Sequence, residues 1–156
     1  MSSVLIIIGD RGRARILSFE RAGRQVRELQ DLVNPALFLR EGLFSHDHQG
    51  RVMNRSRGSR TALGKREPHK RLSSLRFARL VADTVHTECE KHPYVRLFLL
   101  AEPEFVGMLR PRLTAQASSP PLTVIPRNIT RHETADILAY LPEHPWRPAV
   151  GRETTR

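Results

Sequence analysis

A single cysteine, Cys89, leaves this chain of 156 residues with no internal disulfide and no multi-cysteine zinc site, and it fits a reducing compartment. No long hydrophobic run is present. The longest, Val4 to Ile8, is far too short to span a bilayer. No basic stretch precedes it, and Asp10 and Arg11 follow almost at once, so a signal peptide is not expected and the reading is cytoplasmic. Serine-hydrolase signatures such as G-x-S-x-G are missing, as is a phosphate-cradling G-x-x-x-x-G-K-[ST] loop, and Gly9-Asp10-Arg11-Gly12 is not a dinucleotide fingerprint. No cofactor is implied. Apolar residues, at 39%, are slightly thin for a globular chain, so part of it is expected to stay out of the core.

Acidic residues are also few: 16 against 26 basic ones, a net charge of +10. The excess is concentrated. Residues 40–71 hold nine basic and three acidic side chains, a net +6, with His46, His48 and His69 able to add charge at mild acidity. After Phe44 only Val52, Met53, Ala62 and Leu63 are apolar there, and Gly50, Gly58, Gly64 and Pro68 punctuate the stretch. Such a segment buries too little surface to offset its ordering entropy, so a long mobile loop is predicted.

The flanking pattern is regular. Val4–Ile8, Ala14–Glu20 and Gln25–Val33 read as three strands joined by the turns Gly9–Gly12 and Arg21–Arg24, an antiparallel meander. Leu75, Ala78, Ala82, Val85 and Cys89 recur at helical spacing, with Ser73 or Ser74 as N-cap. A fourth strand follows at Tyr94–Ala101. Pro103 then opens a helix that Pro111 should kink or divide. Leu122–Ile125 is a short fifth strand, and Thr130-Arg131-His132-Glu133 forms a capping-box pattern before a last helix with Ile137, Leu138 and Leu141 inward. The order β-β-β-α-β-α-β-α predicts an α/β fold of ribonuclease-H-like type, a mixed five-stranded sheet with helices on its faces. Residues 1–141 form one domain carrying the basic loop 40–71, and 142–156 a flexible tail. Nothing in the pattern specifies an oligomeric state.

Three kinds of site were weighed. Asp10 and Glu102 close neighbouring strands and could share divalent metal, but a two-metal nuclease needs further carboxylates, and the start of the long helix offers none. Asp10 therefore reads as a turn former. His46, Asp47 and His48 lack the ligand count and spacing of a zinc site. Cys89 sits on the apolar face of its helix and reads as a buried structural thiol. The basic loop remains: Arg51, Arg55, Arg57 and Arg60, with Lys65 and Arg66 beyond, are suited to phosphate contacts, because guanidinium forks bind phosphate oxygens bidentately. Phe44 is its sole aromatic, so base stacking from the loop is not expected.

Several stretches resemble a known family. Asp10-Arg11 with Ala14-Arg15-Ile16, Asp47-His48-Gln49-Gly50-Arg51, Arg76-Phe77-Ala78-Arg79 and the segment Leu97–Arg110 are similar, in order and spacing, to the bacterial host-attachment protein family. The likeness covers roughly residues 4–141. It implies a role in attachment to host cells. It also implies a fold like the middle domain of archaeal and eukaryotic class-one release factors, whose loop after the third strand carries Gly-Gly-Gln into the ribosome. This chain has Gln49-Gly50 at that place in the element order and no Gly-Gly-Gln, and Asn128-Ile129 stand where Asp-Leu is more usual. The combined expectation is a non-enzymatic RNA- or ribosome-associated module contacting its partner through Gln49, Gly50, Arg51, Arg55, Arg57, Arg60, Lys65 and Arg66. A surface or secreted adhesion factor and a divalent-metal nuclease are the alternatives.

Overall fold

A computed structural model describes residues 2–37 and 55–148, with side chains from 68 onward in the second stretch. Strands β1 (Ser3–Gly9), β2 (Arg13–Glu20) and β3 (Gln25–Val33) form the meander. Helix α1 (Arg55–Lys91) leads to β4 (Tyr94–Ala101), α2 (Pro103–Leu113), β5 (Leu122–Ile125) and a short α3 (Thr134–Ile137) that tightens into a 3₁₀ turn, Leu138–Tyr140. One mixed five-stranded sheet results, ordered β3-β2-β1-β4-β5. β1 is antiparallel to β2, β2 to β3, and β4 is parallel to both β1 and β5.

The central place of β1 explains its composition. A strand flanked on both edges and covered on both faces needs an uninterrupted apolar run, and Val4 to Ile8 is entirely buried. Alternation then sorts two cores. Leu5, Ile7, Ala14, Ile16, Leu97 and Leu99 face one side, against Phe77, Val81 and Val85 of α1 and Phe105, Leu109 and Leu113 of α2. Val4, Ile6, Ile8, Leu17, Phe98 and Leu100 face the other, under Ile129 and Ile137. Both long helices thus lie on one face. Gly9 is fixed by packing: a Cβ there would stand 2.9 Å from Cε1 of Phe105. The Arg21–Arg24 turn forms as expected, with Gly23 and Arg24 at positive φ. At the sheet's edge, Ile16 pairs with Gln30 and Leu17 with Glu28, so Leu29 is an extra residue that makes a bulge in β3, a feature that discourages strand addition.

Three expectations are corrected. Helix α1 begins at Arg55 instead of near Ser73, so the basic segment is helical from residue 55, and residues 40–54 of the predicted loop fall outside the described residues. The apolar stripe starts only at Leu75 and Pro68 lies inside the helix, but Arg, Lys, Ala, Leu and Glu are good intrinsic helix formers, and the packed half supplies the nucleus that a separate helix would lack. Helix α2 runs through Pro111 to Leu113, because Pro111 lies close enough to the end to forfeit only one hydrogen bond. The capping box does not form: Glu133 is the N-cap of α3, without a side-chain cap, and the hydroxyl of Thr130 is used elsewhere. Residues 142–148 of the expected tail are among the described residues. Pro145 is buried, and Trp146 lies 5.9 Å from the ring of Phe19, under the guanidinium of Arg21 at 5.4 Å.

Candidate nucleic-acid interface

The carboxyl ends of the parallel strands β1 and β4 come together, the usual ligand edge of an open α/β sheet. There Asp10 follows β1 and forms a tight turn. Its Oδ1 accepts from the backbone N–H of Gly12 (2.7 Å) and of Arg13 (2.9 Å), and its Oδ2 accepts from the Thr130 hydroxyl (3.1 Å). Arg11, on the same turn, reaches Glu102 and Glu104, each at 3.4 Å. Both carboxylates considered for metal-assisted cleavage are therefore held by the protein's own donors. Among the described residues, no group of three or more His, Cys, Asp or Glu is placed to hold a metal ion.

Arg15 is the other fixed point. Its side chain, 8% exposed, forms a fork on Glu28 (3.0 and 2.7 Å) and donates to the carbonyls of Thr130 (3.3 Å) and His132 (2.6 Å). It ties β2 to β3 and to the segment after β5. Arg13 forks onto Asp31 at 2.8 and 2.6 Å. Hydrogen bonding to Arg13 lowers the Asp31 pKa, and the same bond raises that of Arg13. The buried Asn34 donates from one amide nitrogen to the Arg11 carbonyl (3.0 Å) and to Ser73 Oγ (3.1 Å), which seats α1 against the end of β3. The functions of Arg15 and Asn34 were not read from sequence. A charged residue between Ala14 and Ile16 in a buried strand was the available signal.

The seating of α1 carries its basic half past this edge. From Arg55 to Arg79 it has nine basic residues and one acidic, Glu67; from Leu80 to Lys91 it has one basic and three acidic. This polarity opposes the helix dipole, which favours acidic groups at the start and basic groups at the end. The first turn contains no acidic residue. Folding thus gains nothing from the distribution, whereas an anion at this end would meet both the dipole and the side chains. Lys70, Arg71, Arg76 and Arg79 are exposed on α1 and Arg110 on α2, with Arg112 half-buried. None of these six takes part in an ion pair among the described residues.

Of the residues predicted to make contact, Arg55, Arg57, Arg60, Lys65 and Arg66 all lie on α1, in a helix in place of a loop. Gln49, Gly50 and Arg51 lie outside the described residues, as do His46, Asp47 and His48. Cys89 is half-buried; burial, then Glu88, pushes its thiol pKa up, the wrong direction for a nucleophile. Among the described residues no helix is long and apolar enough to cross a membrane.

No curated protein is similar enough to the chain to match it. A family model described as "Protein required for attachment to host cells" matches residues 5–141. That span takes in the Asp10 turn, the Arg15 clamp, the whole of α1 and the junction from β4 into α2, and the chain belongs to the host-attachment family.

Proposed function

We propose that the protein is a non-enzymatic RNA- or ribosome-associated module whose contact element is the basic half of α1, and that its cytoplasmic body resembles a lone release-factor middle domain of ribonuclease-H-like type. The strand order β3-β2-β1-β4-β5 with its single antiparallel meander supports that fold reading. One observation carries the functional one: the charge along α1 runs against its own dipole, nine basic residues to one acidic from Arg55 to Arg79. An arrangement unfavourable to the isolated fold becomes favourable when phosphates neutralise it. With about five phosphates contacted, log K should fall against log salt with a slope of about −3.5 to −4.5. Ribosome co-sedimentation across a salt series measures this, beside a variant with Arg55, Arg57 and Arg60 reversed to Glu. The variant should bind more weakly with a melting temperature no lower than that of the wild type, since acidic groups at a helix start favour the helix. Pelleting insensitive to both salt and charge reversal defeats the proposal.

The family description favours a second reading, a direct part in attachment at the bacterial surface. Fractionation of intact, unlysed cultures separates the two. Protein outside the cells supports the surface reading, whereas protein confined to the ribosomal fraction makes any attachment phenotype indirect.

A further inference from the structure

Beside the basic half of α1 lies a groove of about 640 Å³ between α1 and α2, within the range of roughly 300–1,000 Å³ typical of small-ligand sites. Leu75, Met108 and Pro111 give it an apolar floor, and Arg71 and Arg112 stand on its rims. Glu104 also borders it but is engaged by Arg11. Gly107 lines the groove from mid-helix, where glycine costs about 1 kcal/mol relative to alanine. Packing does not demand it, since a Cβ at this position meets no atom within 4 Å. The contrast with Gly9 is direct: Gly9 makes room for Phe105, whereas Gly107 keeps open space open. Four residues on, Pro111 has no N–H to give the Gly107 carbonyl, so the groove wall also offers a backbone acceptor deprived of its usual helical donor.

An apolar floor, a bare acceptor and two guanidinium groups match one chemical object: a nucleotide, its base lying on the floor and against the arginine planes, its phosphate on the forks. We infer that the groove between α1 and α2 receives one unstacked nucleotide of a single-stranded RNA. The inference deepens the RNA-binding reading and rests on it: the helix would supply salt-dependent grip, the groove a preference for single strands.

Filling the groove tests it. Gly107→Leu places a side chain where nothing obstructs it, and Gly107→Ala controls for helix propensity. Fluorescence anisotropy of the full chain would compare a short single-stranded oligoribonucleotide with an abasic strand of equal length. The wild type should prefer the base-bearing strand by about tenfold, and Gly107→Leu should abolish that preference while leaving abasic binding and the salt slope unchanged. Equal binding of the base-bearing strand by wild type and Gly107→Leu overturns the groove assignment and leaves the helix reading standing. If neither strand binds, titration with free nucleoside monophosphates decides. Binding lost in Gly107→Leu keeps the groove and removes the RNA reading, and no binding removes both.

Discussion

The Asp10 turn makes a quantitative claim about which atoms hold the ligand edge together. Asp10→Ala deletes the acceptor of two backbone N–H groups, at 2.7 and 2.9 Å, and of the Thr130 hydroxyl at 3.1 Å. The Thr130 hydroxyl can turn to Asn128 Oδ1 at 2.9 Å, so the net loss is the two backbone bonds; bonds to charged groups contribute roughly 1.5–3 kcal/mol each and partial burial favours the low end, which gives about 3 kcal/mol. Asp10→Asn is a different perturbation. Its amide oxygen can still accept from Gly12 and Arg13, and its NH₂ can donate to Thr130 Oγ1, whose own proton then goes to Asn128 Oδ1 at 2.9 Å. That variant should cost about 1 kcal/mol or less. For a chain of this length each kcal/mol moves the midpoint by about 2–4 °C, so thermal unfolding followed by circular dichroism should show a fall of about 6–12 °C for Ala and no more than about 4 °C for Asn. An Asn variant as damaged as Ala would show that charge, not hydrogen bonding, sustains the turn. An Ala variant within about 2 °C of wild type would show that the turn contributes nothing.

Other perturbations follow from the same geometry. Gly9→Ala forces a Cβ to within 2.9 Å of Phe105 Cε1 in a closed core, and should cost about 1–3 kcal/mol in denaturant midpoint, recovered in part by Phe105→Leu. The Asp31 pKa is depressed by Arg13, so the pair's contribution is complete above the unfolded value of about 4 and is lost as pH falls through the lower native value. Both groups are about two-fifths exposed, which limits that contribution to a few tenths of a kcal/mol. Acid unfolding of Asp31→Asn should therefore differ from wild type in pH dependence only below about pH 4. Trp146 is the sole tryptophan, so its emission should shift to the red in step with loss of secondary structure, and Trp146→Ala should cost about 2 kcal/mol through lost contact with Phe19 and Arg21.

Strands were legible in the sequence because their signal is local. Gln25–Val33, Tyr94–Ala101 and Leu122–Ile125 have the predicted limits, and β1 and β2 extend by a residue or so, since β-branched runs bounded by turn residues leave little choice. Helix α1 was misjudged in its first half because an apolar stripe was required of it. That stripe reports packing, and a helix continuing beyond its packed part needs none. The site divided in the same way. Basic composition was visible, but its assignment to helix or loop was not. Arg15 and Asn34 remained hidden because their partners lie distant in sequence: Arg15 bonds Thr130, 115 residues on, and Asn34 bonds Ser73, 39 residues on. Thr130 illustrates the competition involved, since a hydroxyl suited to capping the next helix is claimed instead by Asp10 and Asn128.

The distribution of partners explains why a net charge of +10 acts directionally. Arg11, Arg13 and Arg15, around the sheet, each face a carboxylate within 3.4 Å and contribute little field at a distance. The segment from Arg127 to Arg147, over the second face, carries three basic and three acidic residues. Helices α1 and α2 together carry twelve basic and five acidic, so most of the excess lies on these two helices. On the proposed reading, a polyanion would therefore approach these helices and not the second face. The acidic residues of α1 cluster toward its end, at Asp83, Glu88 and Glu90, so the same reading assigns the contact to the Arg55–Arg79 half, where like-charge repulsion of an anion is least.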